Sequence, residues 1–409
     1  MSQLKNRPIT LSANLRRLLL AAATSVLCTL AIANPPCPSD LDGSGEVDGG
    51  DMAIVLLDWG TCPEDPPSVA AVSPSFGPTE GGTRITITGT ALSYTRRVTV
   101  GGVQATDLVV VNETTVTAVT PAGTEGSASI QVTTVGGNTA SLNSAFTYVW
   151  YTVLEEAPNA TVVTDAVLRA AISNTGKPWR VRDNGSGIEM VLIPPGTFAM
   201  GCSPLSGSSC YAEELPVHQV SLTNAFYMSC TEITQAQWVA KMGYNPSYYG
   251  GDTRRPVERV NWAAVQAFCT VTRMRLPTEA EWEYAYRAGT TTALHGMPGF
   301  LGGSNNIAQL SLIGWASPEV GSPQPVGLKA ANGFGLFDMS GNVWEWCQDW
   351  FGPYAAEQQV NPIGPAAGEY RVMRGGWAGA PGDCRSSVRQ RAWPKDGTNG
   401  LGFRAVRNP

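Results

Sequence analysis

Three kinds of residue in this chain could do chemistry: thiols, clustered oxygen donors and imidazoles. There are nine cysteines and only two histidines, His218 and His295. Two imidazoles cannot build a three-histidine iron site, and neither sits in a nucleophile-elbow context, so a Ser-His-Asp triad is not expected. Oxygen donors concentrate in two places. The first is "DLDGSGEVDGGD", residues 40–51, where Asp40, Asp42, Ser44, Asp48 and Asp51 fall at loop positions that converge on a hard cation. Gly45 allows the sharp turn there, and the Glu46 carbonyl completes the sphere. The second is "DMSGNVWE", residues 338–345, ending in a carboxylate flanked by two indoles. A buried Glu345 needs a partner, either a cation or an arginine.

The elements that must position these groups belong to more than one domain. A chain of 409 residues exceeds one ordinary core. Its 45 Gly and 29 Pro favour strands and turns over helical bundles. The net charge of −6, with no dense basic patch, excludes a nucleic-acid partner at this level. No Walker or Rossmann phosphate loop occurs. Basic residues Lys5, Arg7, Arg16 and Arg17 precede the apolar run "LLLAAATSVLCTLAIA" and a small-x-small site at Ala31-Ile32-Ala33. Residues 1–33 therefore read as a secretory signal, too short for a membrane span, and the mature protein is expected to be secreted or extracytoplasmic. Residues before Cys28 make a poor lipobox.

Eight cysteines then remain, an even number in an exported chain, which predicts disulfides. Short loops suggest Cys37 with Cys62 and Cys202 with Cys210. Cys230, Cys269, Cys347 and Cys384 are left without an assigned pairing.

Residues 34–66 carry the EF-hand-type loop followed by the apolar "MAIVLLDWG", and resemble a dockerin repeat. Dockerins carry two such repeats and this chain has one, so the resemblance implies a calcium-stabilised module and, more remotely, a cohesin-like partner. From 69 to 149 short alternating strands, "TRITITG", "RRVTVGG", "TTVTAVTP", "ASIQVTT" and "AFTYV", are divided by Gly and Pro turns, the pattern of a sandwich. The stretch "VSPSFGPTEGGTRITITGTAL" resembles the IPT/TIG family of immunoglobulin-like domains, an all-β fold. Residues 150–184 read as a linker with one amphipathic segment, "TDAVLRAAI".

From 185 to 409 the blocks "RLPTEAEWEYAYRAG", "NGFGLFDMSGNVWEWCQDW", "RGGWAG" and "LGFRAV" follow in order. Thr278 and Glu281 predict a capping box, with Trp282 and Tyr286 one turn apart on a buried face. Asn261 predicts an N-cap for "WAAVQAFC". These blocks resemble the formylglycine-generating enzyme, or sulfatase-modifying factor, family. The resemblance implies a largely irregular α+β fold of C-type-lectin-like type. It also implies a calcium ion held by the Asp338 side chain, the Gly341 and Val343 carbonyls and the Glu345 carboxylate.

Active members of that family follow Gly-Gly-Ser with Cys-x4-Cys, two thiolates for Cu(I). Here Trp377 stands at the Ser, Ala380 at the first Cys, and Cys384 lies beyond the second position, so the resemblance implies that Cys384 is half of a disulfide, with Cys347 as a candidate partner. Calcium is thus the expected cofactor, and copper is not. The leading expectation is a noncatalytic domain binding a peptide or glycan at the cell surface. The alternatives are a formylglycine-generating oxidase, in which Cys384 would be catalytic, and a dockerin-type component of an extracellular assembly.

Overall fold

The computed structural model describes residues 65–297, 302–316 and 321–409. The signal segment, the calcium loop from Asp40 to Asp51 and the Cys37–Cys62 pair lie outside the described residues. Two compact units divide at Val149/Trp150.

In the first unit the expected strands form. One sheet has four strands in the order β1 (Ser68–Ser73), β3 (Arg84–Thr90), β7 (Thr115–Val119), β6 (Thr106–Asn112). The other has five, in the order β2 (Phe76–Pro78), β9 (Thr139–Val149), β8 (Gly126–Thr134), β4 (Thr95–Val100), β5 (Val103–Gln104). The period of two in the sequence is the reason they hold. Ile85 and Ile87 on β3, Val116 and Ala118 on β7, and Ile130 and Val132 on β8 all point into one apolar core, closed by Phe146 and Tyr148.

The second unit begins earlier than its sequence blocks suggest. Residues 150–184 are no linker: β10 (Tyr151–Glu155) and β11 (Arg180–Asp183) join β12 (Glu189–Ile193), β15 (Phe226–Ser229) and β23 (Val406–Arg407) in a five-stranded sheet. Trp150, Trp179 and Val181 belong to its core. The amphipathic segment is helix α1 (Ala166–Ser173), capped by Asp165, whose side chain accepts from the Val167 and Leu168 amides. Read alone, "TDAVLRAAI" shows only a short helix; in the fold its Ile172 is buried in the core of this unit and Leu168 packs against it.

Further pairings are β13 (Gly196–Met200) antiparallel with β14 (His218–Leu222), β19 (Gln359–Val360) parallel with β14, and β16 (Gly314–Trp315) parallel with β17 (Ser340–Gly341). Helices α3 (Trp262–Thr272) and α4 (Glu279–Arg287) start as predicted at the side-chain caps Asn261 and Thr278, and α2 (Gln235–Met242) starts at a cap not foreseen in the sequence, Thr234. In α4 the Thr278 hydroxyl accepts from the Glu281 amide and the Glu281 carboxylate accepts from the Thr278 amide, a complete capping box. Opposite α4 stands a four-stranded sheet in the order β21 (Arg389–Ala392), β20 (Arg371–Arg374), β18 (Trp344–Trp350), β22 (Leu401–Gly402). Most of this unit is loop, held by buried side-chain bonds rather than ladders. Among the described residues no helix is long and apolar enough to cross a membrane.

Candidate functional site

Glu345 is the second residue of β18 and is fully buried. Its Oε2 accepts from Arg404 Nε at 2.7 Å and from Trp282 Nε1 at 2.7 Å, and its Oε1 accepts from Arg404 Nη2 at 2.8 Å. The carboxylate is therefore satisfied by an arginine and by the α4 indole, not by the flanking Trp344 and Trp346. Parallel pairing of Glu345 with Gly402 on β22 is what brings Arg404 within reach.

Around this pair the structure gathers two more carboxyls. Asp338, in the left-handed region at φ 55°, is 1% exposed; its Oδ2 accepts from the Gly327 amide at 2.6 Å, and its Oδ1 has no partner. Glu232, fully buried just before the Thr234 cap, accepts from Asn342 Nδ2 at 2.8 Å and from the Val343 amide at 3.2 Å. Gly341 lies at φ 81°, where an added Cβ would sit 2.3 Å from the Trp315 carbonyl, so only glycine fits that turn. Burial first, then the neighbouring carboxylates, push Glu232 well above the usual carboxylate range. Burial pushes Asp338 up to about 6, and the Glu345 charge adds to it. Three acids share one guanidinium, so burial favours the protonated form of the two that Arg404 does not pair.

Of the four expected calcium ligands, Asp338, Gly341, Val343 and Glu345 do share one short stretch. As placed, however, no group of three or more His, Cys, Asp or Glu among the described residues is arranged to hold a metal ion. Arg404 occupies Glu345, the alternative that sequence reading left open. The oxygen chemistry still suits a hard cation, and the partnerless Asp338 Oδ1 marks where another positive charge would be accommodated. Glu232 was not foreseen. It lies 110 residues from Asn342 in the chain, and no spacing rule connects them.

The thiol side is built differently. Cys384 and Cys347 are fully buried and free, and Cys230 and Cys269 are buried and free. Only the Cys202–Cys210 disulfide forms among the described residues. The expected Cys384–Cys347 bond is thus overturned. Cys347 packs in the main core of the unit, whereas Cys384 belongs to a separate small cluster with Leu294, Leu310 and Ile313. Burial pushes the Cys384 thiol far above its ordinary range. It is held as a donor to the Ala380 carbonyl at 3.4 Å and the Trp377 carbonyl at 3.8 Å. Gly376 at φ 84° leaves room for the sulfur, since a Cβ there would lie 2.5 Å from Sγ. Burial likewise raises Cys230 and Cys269 to about 12. A Cu(I) site needs paired thiolates, and these residues do not fit one.

The histidines are structural in form. His218 Nδ1 lies 3.1 Å from the Pro216 carbonyl, with its ring 4.9 Å from Tyr354. His295 is buried against Tyr286, and burial holds it down to about 4, so it is neutral.

Comparison with known proteins agrees with this architecture. Residues 179–409, more than half of the chain, match the sulfatase-modifying factor enzyme 1-like domain family, and residues 67–148 match the IPT/TIG domain family. The chain is 39% identical over 168 residues to formylglycine-generating enzyme of Streptomyces coelicolor, covering 38% of this chain and 54% of that protein. It is 31% identical over 250 residues to serine/threonine-protein kinase pkn1 of Chlamydia pneumoniae, covering 54% of this chain and 38% of that one. It is also 31% identical over 216 residues to chaperone protein LppX of Paenibacillus barcinonensis, covering 40% of this chain and 71% of that one. The chain thus spans about half, or less, of the length of the enzyme and kinase relatives. Among solved structures, Treponema denticola variable protein 1 aligns at a TM-score of 0.47 with 28% identity, over 54% of this chain and 95% of that one.

Proposed function

From a chain that belongs to the sulfatase-modifying factor family and carries an IPT/TIG domain ahead of that fold, we propose an extracytoplasmic binding protein rather than an oxidase. In this reading the large unit takes a peptide or glycan, and calcium stabilises it. The observation that carries it is Cys384: a lone, buried thiol, held protonated by burial and donating to two carbonyls. A nucleophile or copper ligand has to be an accessible thiolate. Trp377 supports the same reading, since its ring packs against Gly379 and Gly400 where the oxidases have a serine. Relatives named as a kinase and a chaperone carry a matching stretch, which fits a fold kept for purposes other than oxidation.

Calcium would be held by Asp338, Glu232 and the Gly341 and Val343 carbonyls, with Glu345 shared between the ion and Arg404. The ion would supply charge compensation to the acid-rich turn, not a reaction step. A second calcium is proposed at Asp40, Asp42, Ser44, Glu46, Asp48 and Asp51.

The test is direct. The purified chain, loaded with Cu(I) and given a Cys-x-Pro-x-Arg peptide in air, should leave the peptide mass unchanged. Conversion of the cysteine to an aldehyde, seen by mass spectrometry and lost in Cys384→Ala, would overturn the noncatalytic reading.

A further inference from the structure

Among the described residues Trp393 is the one tryptophan in the set of exposed large apolar side chains, at 39% exposure. It follows the edge strand β21, in a turn fixed at several points. The Asp396 amide donates to the Trp393 carbonyl at 2.8 Å, and the Pro394 carbonyl accepts from the Trp262 amide at 3.0 Å. Thr398 accepts from the Arg259 amide at 3.1 Å, and Gly397 sits so close to the Arg259 carbonyl that a Cβ would lie 2.8 Å from it. An exposed indole on a turn this firmly anchored is held in place before any ligand arrives.

Its surroundings are cationic and aromatic by turns. The Trp393 and Tyr370 rings lie 4.5 Å apart at 50°. Arg391 sits 5.4 Å from Tyr370 and 5.0 Å from Phe351. Arg389 sits 4.4 Å from Phe351 and 4.0 Å from Tyr354. The ladder thus runs from the surface at Trp393 inward to Tyr354. Lys395 lies 5.4 Å from the outer indole. The inner cation, Arg389, is consumed by a bidentate pair with Glu279. The outer two are not: among the described residues neither Arg391 nor Lys395 has a carboxylate within 4 Å, although Asp396 follows Lys395 directly in the chain. In a chain of net charge −6, two unpaired cations flanking the one exposed tryptophan among the described residues form a local exception.

We propose that the Trp393–Tyr370–Arg391–Lys395 face binds an acidic polysaccharide. A sugar ring would stack its C–H face on the indole, and its carboxylate or sulfate would pair with Arg391 and Lys395. This rests on the binding-protein reading and gives its ligand a class and a place. The aromatic pair selects a flat ring, and the cations select its charge. An acidic peptide would use the charges but leave the indole without a ring to cover.

The experiment is affinity electrophoresis and calorimetry of the whole chain against polygalacturonate, chondroitin sulfate and neutral dextran, with single-stranded DNA as a fourth probe. Retardation by polygalacturonate or chondroitin sulfate and not by dextran is expected, and which of the two is tighter distinguishes carboxylate from sulfate. Trp393→Ala should weaken binding roughly tenfold or more. Lys395→Gln, a surface change that cannot unfold the domain, should weaken it roughly threefold and flatten its salt dependence. Unchanged melting temperatures would show both variants folded. Binding to none of the acidic glycans, equal binding to dextran, tighter binding to DNA, or full binding by folded Trp393→Ala would each overturn the proposal. In the last case glycan binding elsewhere would leave the binding-protein reading standing, and aldehyde formation in the oxidase assay would fell that reading alone.

Discussion

In the sandwich, the buried polar side chains among the described residues are four threonines, Thr95, Thr99, Thr120 and Thr134, and no charged residue is buried. Among the described residues the interior of the second unit holds nine carboxyls and six arginines. Five of those carboxyls are paired: Asp183 with Arg407, Glu214 with Arg385, Glu279 with Arg389, Glu283 with Arg287 and Arg374, and Glu345 with Arg404. Glu232, Glu258, Asp338 and Asp349 have no arginine, and burial raises all four. One unit is therefore held by apolar alternation, which is indifferent to pH. The other uses ions to hold loops that have no ladder, and it carries more acid than base. Its stability should depend on single charges, on pH and on added cations.

The largest expected effect breaks the ion network at its centre. Arg374 is fully buried, pairs with Glu283, and donates to the Ser386, Ser387 and Val388 carbonyls. Arg374→Met leaves Glu283 with Arg287 alone and frees three carbonyls. A loss of about 3–5 kcal/mol is expected. By calorimetry the second unit's transition should fall steeply while the sandwich's stays in place. A small shift would mean that the buried ions merely tolerate the fold.

Next comes pH. Asp349 caps α4, its Oδ2 accepting from the Glu279 amide at 2.8 Å, and burial together with the Glu279 charge raises it to about 8. The folded chain keeps that proton where the unfolded chain, with a carboxyl near 4, has released it. The native state therefore binds more protons between pH 4 and 8, and stability falls as pH rises through that window. From pH 5 to 7 the loss is about 3 kcal/mol from this group. Asp349→Asn, which keeps the accepting oxygen, should flatten that slope in the second unit. An unaltered slope would mean the carboxyl is ionised in the fold.

Calcium follows. If the ion compensates Glu232, Asp338 and Glu345, then a hundredfold excess over Kd should stabilise the second unit by about 2.7 kcal/mol. Glu232→Gln should weaken the effect. Chelation that leaves this transition unmoved would reject the site. The sandwich should not respond in either case.

The same contrast sets what was legible in the sequence. Alternation reports directly on the sandwich because side chains two apart share a face, so its strands could be read from "TRITITG" or "ASIQVTT". In the second unit only local devices were readable: the caps at Asn261 and Thr278, and the tight Cys202–Cys210 loop. The stretch 150–184 looked like a linker because Trp150, Trp179 and Val181 meet their partners only across distant strands. Glu345's need of a partner followed from its burial, but the choice of Arg404 depended on β22 lying parallel to β18. The disulfide count failed for a related reason. An even number of cysteines says nothing about which thiols the fold brings within bonding distance.

The smallest expected effect lies in the sandwich and is the sharpest control on the comparison. Ile87 on β3 is fully buried, opposite Val116 on β7. Ile87→Val removes one methylene from a core with no charged group, and such a change costs about 0.5–1.5 kcal/mol. That cost is a transfer and packing loss, with no proton bound or released, so it should be the same at pH 5 and pH 8 and with or without calcium. Only the sandwich's transition should move. Measured beside Asp349→Asn in the same buffers, it separates the two kinds of interior. If the Ile87→Val loss varies with pH as strongly as the second unit's stability does, the sandwich is not the charge-independent unit its core describes.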